Sequence, residues 1–287
     1  MNDAYLRHME SILRVLIYIE NHLGEELSLD KMAKVAHIST FYFHRLFHAY
    51  MGETLSEYVT RLRMQRASEK LNYTDVPVTE IALDVGYESP ASFTKIFNQI
   101  MGASPSGFRK SMRPIVEAML KRIPQDPPVG SLLPKYVERK EEEVLFVRKV
   151  GPYAETPWEA FEALLVFLDQ EHISKEKIKT FYSMGLDDPQ FVPLAKCRFD
   201  ACVALKIKPV PKGEVGLKTL PGGKCAVFEY KGHYSGIEAF FQRIFRVWYP
   251  TANITLADTA PFCEHLELGN VSISLSDRIT YFYIPIE

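Results

Sequence analysis

Apolar positions along the chain fall into two textures. Before Pro114 they recur at helical spacing; beyond Lys135 short period-two runs alternate with helical stretches. Ile12, Val15, Leu16, Ile19 and Leu23 make one helical stripe ahead of everything else. One pattern then occurs twice. Met32, Ala33 and Ala36 precede Ser39, Phe43, Leu46, Phe47, Met51 and Gly52; Ile81, Ala82 and Val85 precede Ser89, Phe93, Ile96, Phe97, Met101 and Gly102. From Phe43 onward the copies differ by a constant 50 positions, which carries Thr54 onto Ser104 and Tyr58 onto Phe108. A duplicated unit is far harder to produce by chance than a single motif.

Each copy predicts two short helices joined by a turn. Ser28 can cap a helix over Leu29 to Val35, a turn follows through Ala36 to Ile38, and Ser39 can cap a second helix to about Met51. Ala33 and Ala82 fall where the two helices must pass closely. In the second copy Ser89 precedes Pro90, a cap followed by proline at the first helical position, where the missing amide costs nothing. Between the copies Thr54, Leu55, Ser56 and Glu57 read as a capping box opening a helix with apolar positions Leu55, Tyr58, Val59, Leu62, Ala67 and Leu71, and Pro77 ends its continuation. Seven helices and no strand are predicted before Pro114. Residues 1–113 thus read as an all-α double helix-turn-helix domain.

Residues 9–113 resemble the DNA-binding domain of the AraC/XylS family. The second copy carries the signature as Ile81, Ala82, Val85, Gly86, Tyr87, Ser89, Phe93, Phe97, Gly102, Ser104, Pro105, Phe108 and Arg109. The resemblance implies two recognition helices in successive major grooves of double-stranded promoter DNA, about one helical turn apart. In the first helix the groove-facing candidates are Ser39, Thr40, Phe41, Tyr42, His44, Arg45 and His48, with Arg45 suited to a bidentate contact with guanine. The second offers Ser89, Pro90, Ala91, Ser92, Thr94 and Lys95, a set short of long polar groups, so the first helix is expected to specify and the second to position. Arg61, Arg63, Arg109 and Lys110 are candidate phosphate clamps.

Charge alone would not suggest nucleic acid. Residues 1–113 hold 13 Lys and Arg against 13 Asp and Glu, and the whole chain carries a net charge of −2. Basic residues do concentrate between Lys31 and Lys70, where seven face three acidic ones, but most such runs are solvated helix faces. The duplicated motif, not the charge, points to DNA. At 287 residues the chain can hold two cores, and no run approaches the roughly 18 consecutive apolar residues of a membrane span. Met1 to Arg14 lacks the apolar core of a signal peptide, so a cytoplasmic location is expected, away from membranes. Cys197, Cys202, Cys225 and Cys263 include no pair at metal-ligand spacing; they are expected to be reduced and mostly buried, with no metal or cofactor.

Pro114, Pro124, Pro127, Pro128, Gly130 and Pro134 mark residues 114–134 as a linker, with a helical turn or two over Ile115 to Arg122. Beyond it a second repeat is visible. Strand-like Val144 to Val150 leads to Gly151 and Tyr153, and a capping box at Thr156 to Glu159 opens a helix with Phe161, Leu164, Leu165 and Leu168 inward. Strand-like Ala226 to Tyr230 leads to Gly232 and Tyr234, and a capping box at Ser235 to Glu238 opens a helix with Phe240, Phe241, Ile244 and Trp248 inward. Further strands fit Ala201 to Ile207, His265 to Leu268 and Thr280 to Ile286. Residues 135–287 read as an α+β domain of two pseudo-repeated strand-helix-strand-strand units.

This second domain resembles the GyrI-like small-molecule-binding domain. The shared pieces are the two Gly-x-Tyr turns, the closing Tyr283, Ile284, Pro285 and Ile286, and Glu264 three residues after Pro261. The resemblance implies a cleft between the two units, with aromatic walls and a glutamate at its base. Glu264 matches that glutamate, and a carboxylate among aromatic rings would favour a hydrophobic organic cation. Tyr153, Trp158, Tyr230, Tyr234, Trp248, Tyr281 and Tyr283 are the candidate walls, of which Trp248 is assigned to the core, where inward tryptophans most often sit. The chain is read as a non-enzymatic transcriptional regulator, by family habit an activator with RNA polymerase as a further partner, acting as monomer or homodimer. Two alternatives stay open: a hydrolase of a reactive small molecule using Glu264 with a neighbouring tyrosine, or a second domain that binds a protein.

Overall fold

The computed structural model describes residues 3–112, 132–189, 192–266, 268 and 274–287, and the chain forms two compact units. The expected linker falls almost wholly outside the described residues, as do the helical turns over Ile115 to Arg122. The first unit is helical: α1 (Asp3–Asn21), α2 (Leu29–Ala36), α3 (Thr40–Met51), α4 (Leu55–Tyr73), α5 (Val78–Asp84), α6 (Pro90–Met101) and α7 over 105–112. Local signals set these boundaries. Ser28, Ser39 and Ser89 each accept a hydrogen bond from the amide three residues on, and Thr54 and Glu57 close a reciprocal capping box; each such cap contributes ~1 kcal/mol. Gly52 and Gly102 end α3 and α6 in left-handed backbone, at φ 67° and 69°, where a side chain would be strained.

The sequence repeat is also a repeat of packing. Phe43, Phe47 and Tyr58 form a ladder of rings with centroids 5.5 and 5.6 Å apart, and their counterparts Phe93, Phe97 and Phe108 form another with spacings of 5.4 and 5.4 Å. Between them runs α4, which contacts α3 and α5. Leu55, Tyr58, Val59 and Leu62 join the core of the first copy. Met64, Gln65, Ala67, Ser68, Leu71 and Asn72 are buried as well, far more than the single stripe of a surface helix. The helix is a wall shared by both copies.

Three of the four expected phosphate clamps are committed inside this unit instead. Arg61 pairs with buried Glu53 at 2.6 Å. Arg63 donates to the Leu23 and Glu25 carbonyls at 3.1 and 2.6 Å, and Arg109 to the Leu71 and Val76 carbonyls at 3.3 and 2.6 Å. The physical reason is common to the last two. The chain leaving one helix and entering α2 or α5 presents carbonyls that no helix satisfies, and the forked guanidinium of an arginine two helices further on, in α4 or α7, supplies the donors. Lys110 is exposed.

The second unit is a mixed domain built on an antiparallel sheet. Its strands are β1 (Lys135–Arg139), β2 (Glu142–Val150), β3 (Ile178–Gly185), β4 (Arg198–Leu205), β5 (Val215–Leu220), β6 (Gly223–Lys231), β7 (Phe262–His265) and β8 (Ile279–Pro285). They lie in the order β1-β6-β8-β7-β3-β4-β2-β5. Helix α8 (Thr156–Gln170) follows β2, and α9 (Ile237–Arg243), continued by a π-helical turn over Ile244–Trp248, follows β6. Both pack on one face. Phe161 of α8 meets Phe181, Phe199 and His265, while Phe240 meets Tyr230 and Phe282, and Trp248 lies in the core against Phe228.

Several local expectations are corrected here. The segment expected as a strand from His265 to Leu268 is strand at Phe262–His265, and β1, β3 and β5 were not expected. Neither capping box forms: α8 is preceded by Glu155 without a side-chain cap, because the Thr156 hydroxyl is buried and donates to the Pro152 carbonyl, and α9 follows a 3-10 turn over Tyr234–Gly236. Leu165 points outward, 42% exposed. All four cysteines are buried without disulfides. Among the described residues no helix is long and apolar enough to cross a membrane.

Candidate functional site

The start of α3 presents its side chains outward because Phe43, Leu46 and Phe47 take the inner positions. Phe41 is 74% exposed, and Tyr42, His44, Arg45 and His48 are exposed beside it. Arg45 places its guanidinium over the Phe41 ring, 5.8 Å from the centroid, which restricts a long side chain before any partner arrives. Two members of the expected set are tied down. The Thr40 hydroxyl donates to Asp30 at 2.8 Å, and the Tyr42 hydroxyl bonds His8 of α1 at 2.7 Å. Ser39 serves as the helix cap.

In α6 the equivalent outward positions hold Pro90, Ala91, Ser92 and Lys95, all exposed, with Thr94 half-buried and Ser89 capping. Asn98 is exposed one turn beyond Lys95 and was missed. The 50-residue offset makes it the counterpart of His48, and an asparagine amide can pair two bonds with adenine. The repeat itself carried the signal that would have found it.

In the second unit the sheet separates the residues expected to line one cleft. Pairing places Tyr182 opposite Glu264, Glu264 opposite Tyr281, and Phe262 opposite Tyr283, and alternation puts all five on the face away from the helices. Tyr230 is paired with Thr280, one residue out of phase with Tyr281, so it points to the helix side, where it is buried and its hydroxyl donates to the His233 carbonyl. Tyr234 also lies on that side, its ring edge-on to buried His265 and its hydroxyl accepting from Arg278. The Tyr153 hydroxyl is locked between the Asp187 and Arg198 carbonyls at 2.8 and 3.1 Å. Trp158 is 75% exposed on α8. Of the expected walls, Tyr281 and Tyr283 share a face with Glu264.

The cleft on the open face has a volume of about 260 Å³ and is lined by Arg139, Glu142, Lys179, Tyr182, Glu264 and Tyr283, among others. The Tyr283 hydroxyl donates to Glu264 at 2.7 Å, and its ring stacks on Phe262 at 4.9 Å. Burial, reinforced by the Glu264 carboxylate, pushes the Tyr283 hydroxyl well above its usual range, so it stays protonated. Burial would raise the Glu142 carboxyl, but hydrogen bonds from Lys179 and Tyr182, with the charges of Lys179 and Arg139, hold it below the usual carboxylate range. Toward β5 the same face is filled: Asp200 is paired with Arg148 at 2.7 Å and Lys218 at 2.6 Å, all three buried or nearly so. That end is closed by ion pairs, which leaves the β3–β7–β8 region as the recess.

Residues 32–111 match the family described as helix-turn-helix domain, and residues 134–285, over half of the chain, match the family described as GyrI-like small molecule binding domain. The regulatory protein SoxS of Salmonella typhimurium is 31% identical over 104 residues, which are 36% of this chain and 97% of SoxS. The HTH-type transcriptional activator AarP of Providencia stuartii is 36% identical over 100 residues, 35% of this chain and 74% of AarP. The crystal structure of the DNA-binding domain of AdpA in complex with a target DNA is similar at 25% identity, covering 37% of this chain and 96% of that one, with a TM-score of 0.36.

Proposed function

This chain belongs to the AraC family of helix-turn-helix regulators and carries a GyrI-like small molecule binding domain, and from that premise we propose that it is a cytoplasmic transcriptional activator controlled by a hydrophobic organic cation. The observation that carries the DNA-reading half is the outward start of α3. Phe41, His44 and Arg45 stand free of the core on a helix whose inner positions are filled by phenylalanines and leucine. Arg45 gives a bidentate contact to guanine, and Lys95 and Lys110 contact phosphate. Two reading helices in one chain supply two half-sites without a second copy. The activator AarP supports activation, with RNA polymerase recruited at the promoter.

The ligand half rests on Glu264 among Tyr182, Tyr281 and Tyr283. A carboxylate beside aromatic faces attracts a cation through charge and ring quadrupole together. The raised Tyr283 hydroxyl favours holding a ligand over turning it over, since a phenol that keeps its proton is a poor general acid. For the ligand to regulate, it must bind the DNA-competent arrangement with a different affinity from the incompetent one. Transcription in vitro from a bound promoter, with and without added organic cation, tests the whole reading. The expected result is a ligand-dependent change in transcript that Glu264→Gln abolishes while DNA binding is kept; release of a reaction product from the cation instead would establish the hydrolase.

A further inference from the structure

The recess beside Glu264 already holds a cation that belongs to the chain. The Arg139 guanidinium, at the end of β1, lies 5.3 Å from the Tyr182 ring centroid, 4.7 Å from that of Phe262 and 4.8 Å from that of Tyr283. All three distances fall inside the roughly 6 Å reach of a cation–π contact. Its polar anchoring is slight by comparison. Nη2 donates to Glu142 and to the Tyr182 hydroxyl, each at 3.3 Å, and the buried Nη1 has no hydrogen-bond partner. Arginines that serve structure in this sheet are held differently. Arg148 grips Asp200 through two bonds of 2.7 and 2.8 Å, and Arg198 grips Asp187 through two bonds of 2.8 Å.

A guanidinium wrapped by rings, in the cleft that Glu264 also lines, occupies the place where a cationic ligand would sit. We propose that Arg139 is a tethered occupant of the cation site, which a planar amidinium- or guanidinium-like ligand must displace in order to bind. This rests on reading the recess as a cation site. Two further features agree with it. With Arg139 in place the cleft measures about 260 Å³, below the roughly 300 to 1,000 Å³ of drug-sized ligand pockets. And β1 is an edge strand, paired only with β6 and exposed over Lys135 to Glu138, so it can yield without opening the core.

The site when free is hidden for the fraction of time Arg139 fills it, and apparent affinity falls by that fraction. The test is binding of 4-aminobenzamidine, a planar fluorescent cation, to the full chain and to Arg139→Ala, with neutral 4-aminobenzamide as control. The expected result is affinity at least about tenfold higher in Arg139→Ala, no such gain for the amide, and loss of the gain in Arg139→Ala/Glu264→Gln. Arg139→Lys, whose ammonium lacks the planar fork, should fall between and serves if the alanine variant does not fold. Measurable binding to the unaltered chain that both substitutions leave unchanged or weaken overturns the tethered occupant and leaves the cation site standing. Absence of binding to every form overturns the cation site, and the proposal with it.

Discussion

At the outward positions of α3 stand Phe41, Tyr42, His44, Arg45 and His48; at the same positions of α6 stand Ala91, Ser92, Thr94, Lys95 and Asn98. Beneath them the two units are nearly superimposable in kind: a serine cap, a three-ring ladder spaced within 5.4 to 5.6 Å, and a left-handed glycine at the end. The difference separates two constraints. Close packing fixes volume and ring geometry to within a methylene, so duplicated inner positions stay alike. Outward positions answer only to what they touch, and here one set is rich in long polar and aromatic groups while the other is mostly short. The turns differ too. The first places His37 in left-handed backbone at φ 57°, where the second uses Gly86 at φ 83°.

Breaking the frame should have the largest effect. A Cβ on Gly86 would lie 2.5 Å from Arg63 and 2.9 Å from the Gly24 carbonyl, at a positive φ. Gly86→Ala is therefore expected to lower unfolding free energy by about 3 kcal/mol, read from the denaturant midpoint. Next comes the reading surface. Arg45→Ala should weaken binding to the preferred DNA site by ~1 to 3 kcal/mol in a gel-shift titration and flatten preference at one base pair. Lys95→Ala should weaken binding to all sequences alike and reduce the slope of log affinity against log salt by about 1. Asn98→Ala should cost less than Arg45→Ala and relax preference for adenine at one position only. The smallest effect is a gain: His37→Gly relieves left-handed strain and should raise stability by up to ~1 kcal/mol.

The first unit was legible because helical spacing, serine caps and a repeated aromatic pattern are local, and each boundary had its own signal. What local signals did not show was the employment of Arg61, Arg63 and Arg109. Their partners, Glu53 and carbonyls at Leu23, Glu25, Leu71 and Val76, come into reach only when helices pack. In the sheet the missing information was register. Tyr230 and Tyr281 are both strand tyrosines beside the expected cleft, yet pairing of Tyr230 with Thr280 puts them on opposite faces. Glu264 is identified by resemblance to a glutamate of the GyrI-like domain; Tyr182, paired opposite it, and Arg139, which lines the same cleft, belong to strands that the period-two pattern did not reveal. Tyr153 and Tyr234 stand at equivalent turns, and both are anchored by hydroxyl bonds on the helix side.

Selection of bound sequences from a random DNA pool by the full chain tests most directly the claim that two unequal heads read one duplex. Two preferred blocks about one helical turn apart are expected, the sharper of them losing its guanine preference in Arg45→Ala and the other keeping its pattern. A single block, two equally sharp blocks that Arg45→Ala leaves intact, or no preferred sequence would contradict it.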